Sequence, residues 1–239
     1  VVIPPDSPSQ LPEGYRALVI GAQGTIGKAF EGYLRKDPRC ANVLGVSRTS
    51  HPFFDLESAE RFPSLVTDLA PAGPFDLVID ATGVLTIEGQ GPEKSLKAVD
   101  ALLLDRYFRI NASGPLLLLK ALEPLLAPGS PCYAKLSARV GSITDNRLGG
   151  WYGYRASKAA LNMLLQTAAI ELQRARPTMR VLALQPGTVR SPLSAPFTRQ
   201  GHAVLDPETA VDGLMAAIHA VPPSFGASFI DYQGRLIPW

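Results

Sequence analysis

The chain has 239 residues, 46% of them hydrophobic and 18% charged, with a formal net charge of +2. That length suffices for one domain with a substantial core, and the near-neutral balance offers no electrostatic footprint for nucleic acid or a membrane surface. No apolar run approaches the roughly 20 residues a membrane-spanning helix needs, since Lys120 and Glu123 interrupt the most apolar stretch, 115–126.

Residues 1–14 carry four prolines within the first 12 positions. They lack the basic region and apolar core of a signal peptide, so they read as an extended arm. Tyr15 to Ile20 is a run of strand formers ending in Gly21-Ala-Gln-Gly24-Thr-Ile-Gly27, and helical spacing resumes at Lys28. Strand, glycine turn and helix form the setting in which backbone N–H groups and the positive end of a helix receive a pyrophosphate. A second strand, 42–47, ends at Ser47-Arg48-Thr49. An acidic residue at that point would suit a free ribose 2′-hydroxyl, whereas an arginine suits a 2′-phosphate, so NADP(H) is expected over NAD(H). Phe53 to Leu56 reads as a short strand-like piece whose Asp55 could meet the adenine, and 57–69 as an amphipathic helix.

The buried-strand pattern 76–80 runs into Ala81-Thr82-Gly83, a second glycine-terminated strand end. Residues 93–126 read as mostly helical, with Asn111 surrounded by apolar neighbours. A strand at 131–137 is followed by a loop, 138–150, rich in Gly, Ser and Asn. The next helix, expected to reach Arg176, opens with Tyr154 and Lys158 four residues apart and therefore on one face. A cation within about 4–6 Å of a phenol favours the phenolate and fits the pair for proton exchange with a carbonyl or an alcohol. Tyr-x-x-x-Lys alone is common by chance, so its meaning depends on the motifs around it. A strand at 179–184, an irregular loop at 191–205, a helix from an Asp206 cap and Pro207, and a last strand at 226–232 complete the chain.

Alternating strands and helices predict a doubly wound parallel sheet (a Rossmann fold) in three α/β/α layers, with 15–239 as a single domain. Cys40 and Cys132 have no metal-ligand spacing and read as free thiols of a reducing cytoplasm; His51, His202 and His219 likewise indicate no metal site. Trp151, Tyr152, Leu193 and Phe197 suggest an apolar pocket wall, a role that core packing would explain equally well.

Together these motifs resemble the short-chain dehydrogenase/reductase family, and its C-signal-like, carbonyl-reductase-type members most closely. The resemblance covers roughly residues 15–239, including Arg139 to Gly150 and the Pro238-Trp239 ending. It implies Tyr154 as general acid/base, Lys158 as the residue that binds the nicotinamide ribose and lowers the tyrosine pKa, and Asn111 as part of a proton relay. It implies cofactor contacts from Gly21, Gln23, Gly24, Thr25, Ile26 and Gly27, from Ser47, Arg48, Asp55 and Leu56, from Ala81, Thr82 and Gly83, and from Pro186, Gly187, Val189 and Ser191. It also implies a small carbonyl or alcohol substrate and a homodimer or homotetramer paired through 102–126 and 152–176.

Three positions depart from the family pattern. Thr25 stands where a second glycine is commoner. Asp80 replaces an asparagine and must find hydrogen-bond donors. Ala138 occupies the slot of the substrate-orienting serine, which leaves Ser142, preferred here, or Ser137, or no serine at all. The last option keeps alive a second reading, a cofactor-binding regulator with little catalysis.

Overall fold

The central strands are near-continuous apolar runs, and successive side chains go to two faces that different helices cover. The computed structural model describes residues 9–52, 54–197 and 204–239. The strands are β1 (Tyr15–Ile20), β2 (Cys40–Val46), β3 (Leu77–Asp80), β4 (Cys132–Leu136), β5 (Arg180–Gln185) and β6 (Ser228–Asp231). They form one sheet in the order β2-β1-β3-β4-β5-β6, every neighbour parallel. The helices are α1 (Thr25–Leu34), α2 (Phe62–Leu69), α3 (Ala101–Phe108), α4 (Gly114–Leu122), α5 (Tyr152–Ala175) and α6 (Pro207–Ala220).

Leu18, Ile20, Val78, Tyr133 and Val181 face the layer that holds α2, α4 and α5, where they meet Leu65, Leu118, Leu161 and Leu165. Val19, Leu77, Ile79, Leu182 and Leu184 face the other layer and meet Phe30 and Leu34 of α1 and Leu214 and Ile218 of α6. These are the three layers expected. β1 has β2 on one side and β3 on the other, so the turns leaving β1 and β3 diverge and open a crevice at the carboxyl ends of the strands.

Three local expectations change. Of the strand-like piece expected at 53–56, Phe53 lies outside the described residues and 54–56 form no strand: Phe54 N–H closes a turn onto the His51 carbonyl. Asp55 accepts from Glu57 N–H at 2.9 Å, an Asx turn that competes with extended pairing. The helix expected from 57 begins at Phe62, with Pro63 in its first turn. The helix expected from 93 begins at Ala101, because Asp100 caps it by accepting Leu103 N–H at 2.9 Å. Between α3 and α4 lies one π-helical turn, Arg109–Ser113, with Asn111 at its centre. The described part of the N-terminal arm has no regular structure, yet Leu11 is buried among the α1 and α6 residues.

Candidate active site

The glycine turn after β1 is built by close approach. Gly21 has φ +80°, and a Cβ at Gly27 would fall 2.1 Å from the Gly21 carbonyl oxygen, so α1 packs directly against the turn. Gly24 caps α1, whose first turn carries no acidic residue. The amino end of the helix therefore faces the crevice without a competing negative charge. Gly21, Gln23, Gly24, Ser47, Arg48 and Thr49 line a cleft of about 440 Å³, and Asp55 and Leu56 close its far wall. Arg48 is exposed, and Thr49 Oγ1 donates to Gln23 Oε1 at 3.0 Å across the mouth. A backbone cradle of this kind beside a cation fits a dinucleotide phosphate.

Ala81, Thr82 and Gly83 are shared with a second cleft of about 560 Å³, which runs on to Thr25, Ile26, Tyr154 and Lys158. Pro186, Gly187, Val189 and Ser191 form its opposite lip. Gly27 is packed behind the turn and lines neither cleft. Of the expected apolar wall, Trp151, Leu193 and Phe197 line this second cleft; Tyr152 does not. Trp151 meets Tyr154 and Phe197 edge-on, with ring centroids 6.1 and 5.4 Å apart. His202 lies outside the described residues.

Asp80 finds its donors. Thr82 donates to Asp80 Oδ1 through its N–H at 3.0 Å and through its hydroxyl, and Tyr133 Oη donates to Oδ2 at 3.0 Å. Lys135, in register with Asp80 on β4, places its ammonium 3.0 Å from Oδ1 with both side chains fully buried. A lysine inside the apolar run of β4 was the one sequence signal for this partner.

Asn111 is fully buried and lines neither cleft. Its Oδ1 accepts Val84 N–H at 2.9 Å, while Nδ2 donates to the Val84 carbonyl at 3.0 Å and to Ser157 Oγ at 3.3 Å. It ties the segment leaving β3 to α5, one turn from Tyr154. Lys158 Nζ and Asn111 Oδ1 flank Gly83, at 3.3 and 3.2 Å from where a Cβ would sit.

The preference for Ser142 is not supported by its position. Its Oγ accepts Asp145 N–H at 3.1 Å, closing the turn after β4, and it does not line the cleft. Ser137 and Ala138 do line it, and Ser137 Oγ donates to Asn162 Oδ1 at 2.6 Å. The local turn bond holds Ser142 away from the cleft.

The Tyr154–Lys158 pair also differs from expectation. Lys158 Nζ lies 5.8 Å from the Tyr154 ring centroid and donates to the Leu136 carbonyl at 3.2 Å. Burial, then the charge of Tyr107, pushes the Tyr154 pKa well above the usual phenol value. Burial, then the charge of Lys135, lowers Lys158 to about 7. In the protein by itself the lysine is thus a weak source of field, and the phenol holds its proton.

This predicts a measurable linkage. Below about pH 7 both folded and unfolded chains carry the Lys158 proton; between about 7 and the unfolded value near 10.5 only the unfolded chain does. Where the unfolded state binds more protons, stability rises with pH. Urea unfolding of cofactor-free protein between pH 7 and 10 should therefore show a steeper rise for the parent than for Lys158→Met. Identical slopes would refute the lowered proton affinity.

A glycine cradle at the switch point of a doubly wound sheet, continuous with a Tyr–Lys cleft, defines a dinucleotide-binding oxidoreductase. The short chain dehydrogenase family profile matches residues 16–201, and the chain belongs to that family. It is 32% identical over 83% of its length to the 1-hydroxy-2-glutathionyl-2-methyl-3-butene dehydrogenase of Rhodococcus sp. (strain AD45), covering 84% of that protein. It is 36% identical over 70% of its length to the C-signal of Myxococcus xanthus, covering 94% of it. The NADPH-bound carbonyl reductase from chicken fatty liver superposes with a TM-score of 0.84 over 100% of this chain and 99% of that one; at 19% identity this likeness speaks for the fold. Among the described residues no helix is long and apolar enough to cross a membrane, and no cluster of three metal-ligating side chains occurs.

Proposed function

We propose that the protein is an NADP-dependent oxidoreductase that interconverts a carbonyl and a secondary alcohol by hydride transfer, with Tyr154 as general acid/base. The observation that carries this reading is the continuity of one crevice from the glycine turn to Tyr154 and Lys158. When bound, the nicotinamide dinucleotide supplies or accepts the hydride. The backbone from Gly21 to Thr25 and the amino end of α1 would hold its pyrophosphate, and Arg48 with Ser47 and Thr49 would hold a 2′-phosphate. Gly83, Lys158 and the 186–191 lip would hold the nicotinamide end.

Burial keeps a proton on Tyr154 Oη at neutral pH, and in this reading Tyr154 gives it to the carbonyl oxygen. Leu85, Val140, Trp151 and Leu193 supply apolar walls of the same cleft. Of the two candidates, Ser137 and Ser142, Ser137 is the one that lines the cleft, and its hydroxyl must leave Asn162 to donate to a substrate.

Two measurements test the reading. NADPH oxidation should occur with some members of a panel of aldehydes, ketones and quinones; silence across the panel with tight NADPH binding would favour the regulator instead. NADPH should also bind more tightly than NADH, and Arg48→Ala should weaken NADPH by about tenfold to a hundredfold while sparing NADH, the range for losing hydrogen bonds to a charged group. Equal affinities in the parent would remove the 2′-phosphate argument.

A further inference from the structure

One buried carboxylate outside the cleft has, among the described residues, a single hydrogen-bond partner, the residue before Tyr154. Glu93 lies in the irregular segment between β3 and α3 and is 4% exposed. Its Oε2 accepts Gly153 N–H at 3.0 Å, and among the described residues its Oε1 is a buried oxygen without a hydrogen bond. Its main-chain carbonyl accepts Trp151 N–H. One bond ends on Trp151, the N-cap of α5, and the other on Gly153 in its first turn, so Glu93 grips the start of the helix that carries Tyr154.

The grip holds a conformation that a tryptophan rarely adopts. Trp151 sits in the left-handed region at φ 56°, ψ 44°, directly before the helix. Gly149 and Gly150, at φ 62° and 65°, make the same turn freely; Trp151 does not, and its N–H is fixed on Glu93. Packing around the grip leaves no slack. A Cβ on Gly153 would fall 2.6 Å from Tyr107 Cδ2 and 2.9 Å from Glu93 Oε1. Tyr107 is fixed in turn, its hydroxyl donating to the Leu85 carbonyl at 2.7 Å, and its ring meets the Tyr154 ring edge-on at 6.3 Å. A carboxylate on a helix N–H makes a charge-assisted bond and meets the positive end of the helix dipole.

We infer that Glu93 is a positioning residue for the reaction: through Gly153 and Trp151 it sets where the Tyr154 hydroxyl and the Trp151 indole stand in the cleft. It lines neither cleft, and the glycine turn is not among its hydrogen-bond partners. The inference rests on the role assigned above to Tyr154.

The test uses two variants that separate reach from charge. Glu93→Asp withdraws the carboxylate by one methylene and loses Gly153 N–H, whereas Glu93→Gln keeps an acceptor at full reach. Misplacing a reacting group by about 1 Å costs up to about a hundredfold, so Glu93→Asp should lose about tenfold or more in kcat with NADPH affinity unchanged. Glu93→Gln should restore at least about half of the parental kcat. Full kcat in Glu93→Asp, or a loss that appears in NADPH affinity instead, would overturn the inference.

A second readout works without turnover. The chain has two tryptophans, Trp151 and Trp239. In a Trp239→Phe background, Glu93→Asp should change the emission and quenching of Trp151, and Glu93→Gln should not. If the parent reduces no carbonyl, the functional reading fails while this readout still decides the grip. Unchanged Trp151 emission in Glu93→Asp would refute it.

Discussion

Replacing Tyr154 by phenylalanine should lower kcat by about 10²- to 10⁴-fold, the contribution of one positioned proton donor, and leave NADPH affinity nearly unchanged. The substitution removes one oxygen and keeps the ring. Its edge-on contacts with Tyr107 and Trp151, at 6.3 and 6.1 Å, and its approach to Lys158 at 5.8 Å all belong to the ring. The melting temperature should therefore stay close to the parent's, which separates lost chemistry from lost folding. The pH profile adds a sign. Because burial raises the phenol pKa, the parent should keep its reductive turnover through neutral pH and lose it only as alkali removes the proton. Single-turnover mixing of enzyme–NADPH with a good carbonyl substrate measures this directly. A Tyr154→Phe variant that turns over like the parent would take the proton-donor role away from Tyr154.

The helix-borne half of this site was readable because helical spacing places residues without knowledge of the rest of the fold. Tyr154 and Lys158 share a face by the geometry of α5 alone, and the glycine turn announces its own conformation. The other half depends on long-range packing. Ser142 and Ser137 differ by five positions, but which of them meets the cleft is decided by a local bond to Asp145 N–H that spacing does not reveal. The lowered proton affinity of Lys158 arises from burial and from Lys135, a neighbour across the sheet region rather than along the chain. Glu93 lay inside what looked like a helix, and only the Asp100 cap, which starts α3 later, frees it to reach Gly153. The absence of a strand at 54–56 has a similar origin: the piece read as strand-like, and an Asx turn at Asp55 prevailed.

Breaking the Asp80–Lys135 pair, fully buried behind the cleft, should be strongly destabilising. Lys135→Met should cost about 3–5 kcal/mol, because removing one partner leaves the other charge buried and unpaired. Burial by itself would raise the Asp80 pKa, but the Lys135 charge and the Thr82 hydrogen bonds outweigh it and hold the carboxyl below its usual value. Four oxygens surround the ammonium: Asp80 Oδ1 at 3.0 Å, Thr82 O at 2.6 Å, Thr82 Oγ1 at 2.9 Å and Asp80 O at 3.5 Å. The last three belong to the turn whose next residue, Gly83, stands against Lys158. Lys135→Met should therefore also weaken NADPH binding, since Ala81 to Gly83 border both clefts. The double variant Asp80→Asn with Lys135→Met buries no net charge, and the amide can still accept from Thr82. It should recover most of the lost stability, as neutral replacements of buried pairs often do. The stability that Asp80 contributes is present above its unfolded pKa of about 3.9 and is lost as pH falls through its lower folded value, so the parent alone should show that acid limb. Urea unfolding of the three proteins at pH 7 and pH 3 provides the measurement. Lys135→Met as stable as the parent, or a double variant no better than the single one, would show that the buried charges are not coupled.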